Sequence, residues 1–395
     1  MVHADDFGAF SKGERRPRWR SVKFVGGENI VTGDQLVHRS VEHLHGPIEV
    51  AYEPDELMVV SLVRDGRPYV KSFVEHYLSL GVKHIAFLDN NSTDGTVEVL
   101  KNYENVTVLR TNLPYKAGPS GTELLFKQYL IARYGSKDRW CLCADIDELF
   151  DYPYSDIVDV CSLLRYLNDK RYTAVVAQML DMFSEQPLSG RAGNVDEPLK
   201  ALHRFYDISN ITRTSIKELS GHRNNTYDND EIEAFSGGIR NTIFRAEPLL
   251  TKHPLIFLDG RVRPMNGSTH LVGNARIADF TGVLFHYKFL DGHFRGQAAQ
   301  AVREEQYYKN SAAYKKYLQV LDKNPSLHMK QETARQIKSV NDLVDNRFLV
   351  VSGDYVSWVN VVRQNSGLPQ TATQSEPQSR TKLSSQLDAW RGQKP

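Results

Sequence analysis

The sequence predicts an α/β fold, a doubly wound and mostly parallel sheet flanked by helices, followed by a C-terminal helical extension. Three observations carry that prediction. From Leu57 onward, apolar runs of strand length alternate with amphipathic stretches of helical length. The runs LMVVSLV (57–63) and WCLCA (140–144) are continuous, as strands buried on both faces are. Polar clusters at Arg64/Asp65, at Asp89 to Asp94 and at Asp145/Asp147 each follow a strand at its carboxyl end, where open parallel sheets bind ligands.

Residues 1–55 read as an N-terminal extension, polar and interrupted by glycine, with short apolar patches such as Val22 to Val25. The first strand is Leu57 to Val63. Arg64, Asp65 and Gly66 form a turn, and Pro68 stands in the first turn of a helix. That helix gathers Tyr69, Val70, Phe73, Val74, Tyr77 and Leu78 on one face and stops at Gly81. The second strand, HIAFLDN (84–90), runs into Asn91, Ser92, Thr93, Asp94 and Gly95, where Asp94 or Thr93 caps a helix over 96–103. A third strand covers 106–110. Pro114 to Gly121 is a loop, and Ser120 with Glu123 fits a capping box opening a helix that reaches about Tyr134. Trp140 to Ala144 is the fourth strand, and Thr173 to Leu180 another.

A histidine-bearing block follows a polar region over 186–230: FSGGIRNTIF (235–244), KHPLIF (252–257), STH (268–270) and DFTGVLFHYKFL (279–290). Residues from Gly296 to about Val344 read as two helices broken near Asn324 and Pro325. Beyond Asn365 the chain turns to Gln, Ser, Thr and Pro, a composition expected to stay disordered. The expected organisation is therefore a catalytic domain over 56–295, a helical region over 296–364 and a tail over 365–395.

The 395 residues are 41% hydrophobic and 25% charged with a formal net charge of +1, so no global field points to nucleic acid. One segment, Lys12 to Lys23, is locally basic, and it is read as a solvated tail or as a peripheral contact with a membrane. Cys141, Cys143 and Cys161 make no disulfide framework; the first two alternate in a strand as small hydrophobes. No run is long enough for a membrane span and the start lacks the order of a signal peptide, so a cytoplasmic location is expected.

Asp145 and Asp147 stand at i and i+2. In extended backbone they share a face while Ile146 turns toward the core. Two carboxylates there suit a divalent cation, and Mg²⁺ sites of this kind are completed by the phosphate oxygens of a substrate. A strand ending in solvated acids is the plainer alternative.

SLVRDGRPYVKSFVEHYLSLGVKHIAFLDNNSTDGTVEVL and the later ADIDELF resemble the nucleotide-sugar-binding half of family-2-like glycosyltransferases with a GT-A fold. The resemblance is to the branch with a DID motif and downstream GGIR and HYK, related to the family-92-like group, and it spans roughly 57–295. It implies a metal-dependent hexosyltransferase-like enzyme that moves a sugar from a nucleoside diphosphate sugar, a UDP sugar foremost, to a hydroxyl of a glycan or other acceptor. Inversion and a place in bacterial surface polysaccharide synthesis belong to the same implication.

On this resemblance Asp89 contacts the base or ribose, and Arg64, Asp65, Asn91, Asp145 and Arg240 contribute to the nucleotide sugar. Asp145 and Asp147 hold Mn²⁺ or Mg²⁺, with His286 completing the shell and His270 as its rival; imidazole favours Mn²⁺. Asp181 is the first choice for the base that takes the acceptor proton, and Glu233 the second. Departures from the family are Asp-Asn-Asn at 89–91 in place of Asp-Asp-Gly, and Arg64/Asp65 in place of Asn-Glu. Arg64 serves a phosphate or pairs with Asp89 or Asp94. Lys116 and Lys127 are read as surface lysines, with a diphosphate contact as the alternative. Two other classes stay open: a nucleotidyltransferase, although RDGRPY is not a glycine-rich phosphate loop, and a non-catalytic nucleotide or glycan binding protein.

Overall fold

The computed structural model describes residues 23–24, 31–115, 122–189, 197–219, 224–264, 270–304 and 308–365. Lys116, Ser120, the start of the basic segment and the tail beyond Asn365 lie outside them. Ten strands form the main sheet: β1 (Val41–His45), β2 (Leu57–Val63), β3 (His84–Asp89), β4 (Val106–Thr111), β5 (Trp140–Cys143), β6 (Glu148–Asp151), β7 (Ala174–Asp181), β8 (Thr226–Tyr227), β9 (Thr251–Phe257) and β10 (Arg276–His286). Their order is β8-β10-β7-β9-β5-β2-β3-β4-β1, with β6 paired to β10 off that path. The sheet is mostly parallel: β1, β6 and β9 run against the rest. The N-terminal extension thus supplies an edge strand, β1.

Helices cover both faces. β2 shows why: Leu57, Val59 and Val63 enter one apolar core and Met58, Val60 and Leu62 the other. Helices α2 (Arg67–Ser79), α3 (Thr96–Leu100) and α5 (Val160–Asp169) pack on the first; α1 (Gly33–Ser40) and α4 (Thr122–Tyr134) pack on the second. Pro68 starts α2 as expected, and Asp159 caps α5 by accepting from Ser162 N. Each fully buried side chain such as Phe73, Phe87 or Leu142 contributes about 1.5–3 kcal/mol.

The carboxyl edge also carries two short helices, α6 (Leu199–Leu202) and α7 (Ile239–Phe244). The C-terminal region is helical, with α8 (Phe294–Arg303), α9 (Tyr308–Lys323), α10 (Asn341–Asp345) and α11 (Gly353–Asn365); the helix expected beyond Pro325 is reduced to α10, because the chain over 324–340 runs as turns and a short strand. Phe294, Tyr317 and Leu321 join Phe183, Phe244 and Phe289 in a third core, which fastens α8 and α9 beside the ends of β7 and β10. From α11, Tyr355 stacks on Phe280 with ring centroids 4.3 Å apart.

β6 reaches β10 only because position 282 is glycine. A Cβ there would lie 2.7 Å from Phe150 and 2.9 Å from the Asp151 carbonyl oxygen. The register that results sets His286 opposite Glu148 on one side and opposite Asp181 on the other.

Candidate active site

The carboxyl ends of β5, β7 and β10, with the start of the reversed strand β9, deliver charged residues to one place. β5 stops at Cys143, and residues 145–148 form a turn closed by Glu148 N donating to Asp145 O at 2.9 Å. This corrects the expectation of a shared face. Extended geometry does not hold there, so the two aspartates part, and each meets a different partner.

Asp145 is clamped by lysines. Its oxygens lie 2.5 Å from Lys127 Nζ and 2.8 Å from Lys252 Nζ, and Lys252 also reaches Glu148 at 2.6 Å. Burial would raise the Asp145 pKa, but Lys127 and Lys252 outweigh it and hold the carboxyl well below its usual range. Lys127 is 2% exposed, which corrects its reading as a surface lysine. Its helix α4 packs inward, and the side chain spans Glu123 and Asp145.

Asp147 faces the imidazole of His286, with Nε2 3.2 Å from Oδ2. On the other side of the ring, Nδ1 stands 2.6 Å from Asp181 Oδ1. Arg240 Nη2 stands 2.7 Å from the same Nδ1, so that ring nitrogen lies between a carboxylate oxygen and a guanidinium donor. Arg240 completes the set: its Nε and Nη2 grip Asp181 at 2.8 and 2.7 Å, a bidentate pair. Gly238, at φ 64 and ψ −149, adopts backbone that is essentially glycine's alone and opens α7, from which Arg240 projects.

Asp147, Glu148 and His286 each offer a ligand atom within 4.8 Å of the others. The structure therefore puts Glu148 where the sequence reading put Asp145; Asp145 is withheld from a cation by its two ammonium partners. Two carboxylates and an imidazole whose far nitrogen is held by Asp181 and Arg240 form a donor set that fits Mn²⁺. Asp147 and His286 are the freer donors, because both Glu148 oxygens are engaged, by Lys252 and by Asp145 N.

The charge balance points the same way. Asp145, Asp147, Glu148 and Asp181, with Glu123 on Lys127, face three fixed cations, Lys127, Lys252 and Arg240, so carboxylates outnumber cations in the cluster. Burial would lower the His286 pKa, yet Asp147 and Asp181 reverse that and raise it: a proton there supplies a positive charge among the carboxylates. A bound cation would supply it equally.

The remaining sequence-named residues stand elsewhere or in other roles. Asp181 is buried with both oxygens engaged, and its pKa is held far down by Arg240 and His286 against the effect of burial. A carboxylate so tied orients His286 and is a poor proton acceptor. Arg240, 6% exposed, is given to Asp181 and not to a phosphate. Glu233 pairs with Arg213 at 3.4 Å and is not brought to the cluster. His270 lies by the lysine clamp, where its Nδ1 meets Thr251 O at 2.8 Å; burial and Lys252 push its pKa down to about 3.

At the first strand ends, Asp89 is fully buried and bound by Arg110 Nε at 2.9 Å and by Ser92 N at 3.1 and 3.2 Å. Arg64 pairs with Glu304 at 3.5 Å and Asp65 at 3.9 Å, so it takes neither Asp89 nor Asp94. Asp65 accepts from Thr93 N at 2.9 Å, and Asp94 from Arg67 N and Thr96 N at 2.9 and 3.0 Å. Asn91 is exposed, in left-handed backbone at φ 62.

Sequence reading missed Lys252 and Glu148. Their signals were a lysine opening the apolar run KHPLIF and an acid adjoining the DID triplet. A cavity of about 350 Å³ lies at the same edge, between the loops that leave β7 and β10, α6 and the start of α2. No helix among the described residues is long and apolar enough to cross a membrane. No protein-family model matches this chain, and no curated protein matches it.

Proposed function

We propose that this chain is a metal-dependent glycosyltransferase that takes a sugar from a nucleoside diphosphate sugar and places it on a hydroxyl acceptor, with inversion. The observation that carries this reading is the carboxylate-rich cluster centred on Asp147 and His286, with Glu148 beside them, at the carboxyl ends of a doubly wound sheet. A divalent cation at Asp147 and His286, with Glu148 beside them, would neutralise charge developing on a leaving diphosphate. Asp181 and Arg240 both hold the imidazole at Nδ1 and leave Nε2 turned to that position. Lys127 and Lys252 fix Asp145 and keep the adjoining turn closed. The acceptor oxygen would bond to the anomeric carbon as the bond to the diphosphate breaks, the nucleoside diphosphate leaving on the opposite face. The hydroxyl proton would pass to solvent, because Asp181 is tied to Arg240 and His286 and Glu233 stands away from the cluster.

The lysine clamp on Asp145 favours a second reading, a protein that binds a nucleotide or glycan without transfer. Calorimetric titration with UDP, with and without Mn²⁺, on the native chain and on Asp147→Ala tests the first. Binding that needs Mn²⁺ and vanishes in the variant supports a diphosphate at this edge. Absence of any nucleotide binding sinks the transferase reading, and metal-dependent binding without turnover on a donor and acceptor panel selects the second.

A further inference from the structure

The cavity beside the charge cluster is built from residues the cluster leaves unused. Ser184 follows Asp181 out of β7, and Asp291 follows His286 out of β10. Those strands pair with His286 opposite Asp181, so the two loops emerge side by side. The residue after α6, His203, closes the third wall.

His203 is 5% exposed and lines the cavity, and neither of its ring nitrogens has a hydrogen-bond partner among the described residues. Its Nε2 stands 3.6 Å from Asp291 Oδ2, beyond hydrogen-bond reach. That oxygen is itself positioned: Ser184 Oγ donates to it at 2.5 Å and accepts from Gln186 N at 2.9 Å. The imidazole is held from behind, by its backbone N–H on Leu199 O at 2.8 Å and an edge contact with Tyr287 at 6.4 Å. Burial pushes its pKa down to about 4, so the ring is neutral and offers the cavity one donor and one acceptor.

The other walls decide the ligand class. Leu199, Leu202, Phe205 and Leu290 give apolar surface. Among the charged lining residues, Asp291 inside and Glu185 and Glu197 at the exposed rim outnumber Arg204, which disfavours an anion. Neutral donor, neutral acceptor, carboxylate and apolar wall together suit a ring with hydroxyls at its edge and C–H groups on its face, in a volume within the usual range for small ligands.

We propose that this cavity binds a neutral sugar ring through His203 and Asp291 and is the acceptor subsite of the transferase, the word acceptor resting on the transferase reading. The test is NMR on the full chain labelled with ¹⁵N-histidine, without nucleotide or metal, titrated with the methyl glycosides of glucose, galactose, mannose and N-acetylglucosamine. The ring nitrogens of His203, identified by their loss in His203→Ala, shift saturably with at least one glycoside. Asp291→Asn weakens that binding about tenfold or more. Sugar binding that persists when UDP and Mn²⁺ fail to bind keeps the sugar site and removes only the transferase reading. No shift with any glycoside, or a shift with UDP alone, overturns the proposal.

Discussion

The two halves of the carboxyl edge treat their acids differently. At the ends of β2 and β3, Asp65 and Asp94 bond backbone N–H groups of the adjoining loops, and Asp89 adds one such bond to its ion pair with Arg110. At the ends of β5, β7 and β10, Asp145, Asp147 and Asp181 bond other charged side chains instead. Acids in the first half shape loops. Those in the second form a charge cluster that a proton or a metal ion would rebalance, the kind of coupling that marks candidate functional sites.

The strongest way to break this comparison is to remove one charge from the second half. Arg240→Met leaves Asp181 buried without its bidentate partner, and stability measured by urea unfolding falls by about 3–5 kcal/mol. A loss below about 1 kcal/mol would mean the cluster is not electrostatically closed. Next in size, Asp181→Asn keeps the shape but weakens the hold on His286. Mn²⁺ affinity followed by electron paramagnetic resonance drops about 10–100-fold, and unchanged affinity would detach Asp181 from the cation site.

In the first half, Asp94→Ala removes acceptors for Arg67 N and Thr96 N. Thermal and urea unfolding show a loss of about 0.5–2 kcal/mol, with Mn²⁺ affinity unaltered. A fall in Mn²⁺ affinity there would join the two halves and spoil the contrast.

The smallest effect sharpens it through histidine. His286, among carboxylates, has its pKa raised, whereas burial and then Lys200 push His76 down to about 3 while its Nε2 meets Phe150 O. The folded value of His76 lies below the unfolded value near 6.5, so between them the unfolded chain binds the extra proton. His76 therefore costs stability as pH falls through that window, about 0.7 kcal/mol between pH 7 and pH 6. Comparing unfolding of the native chain and His76→Phe over that range checks the sign; an equal slope in both would refute it.

How much of this was legible in the sequence follows from the range of each interaction. Strands β2 to β5, β7 and β10, with α2, α4 and the helical character of the C-terminal region, came from local patterning, which needs no knowledge of neighbours. Asp147 and His286 were legible because each ends an apolar run. The pairing of Asp181 with Arg240, the burial of Lys127 and the entry of Glu148 in place of Asp145 were not. Each depends on which strand lies beside which, and the turn at 145–148 overrode the period of two. His203 and Asp291 carry no local signal at all; the cavity between loops is the only thing that singles them out.

The pairing of β6 with β10, permitted by Gly282, has a kinetic consequence. Asp147 and His286 are remote in sequence, and they meet only after β10, among the last strands of the chain, has docked beside β7 and received β6. Contacts of such long separation form late, because the loop entropy must be overcome before they reward the chain. In a refolding experiment, recovery of cation affinity would then lag behind the return of helical signal, which makes the site a clock for the final step of assembly.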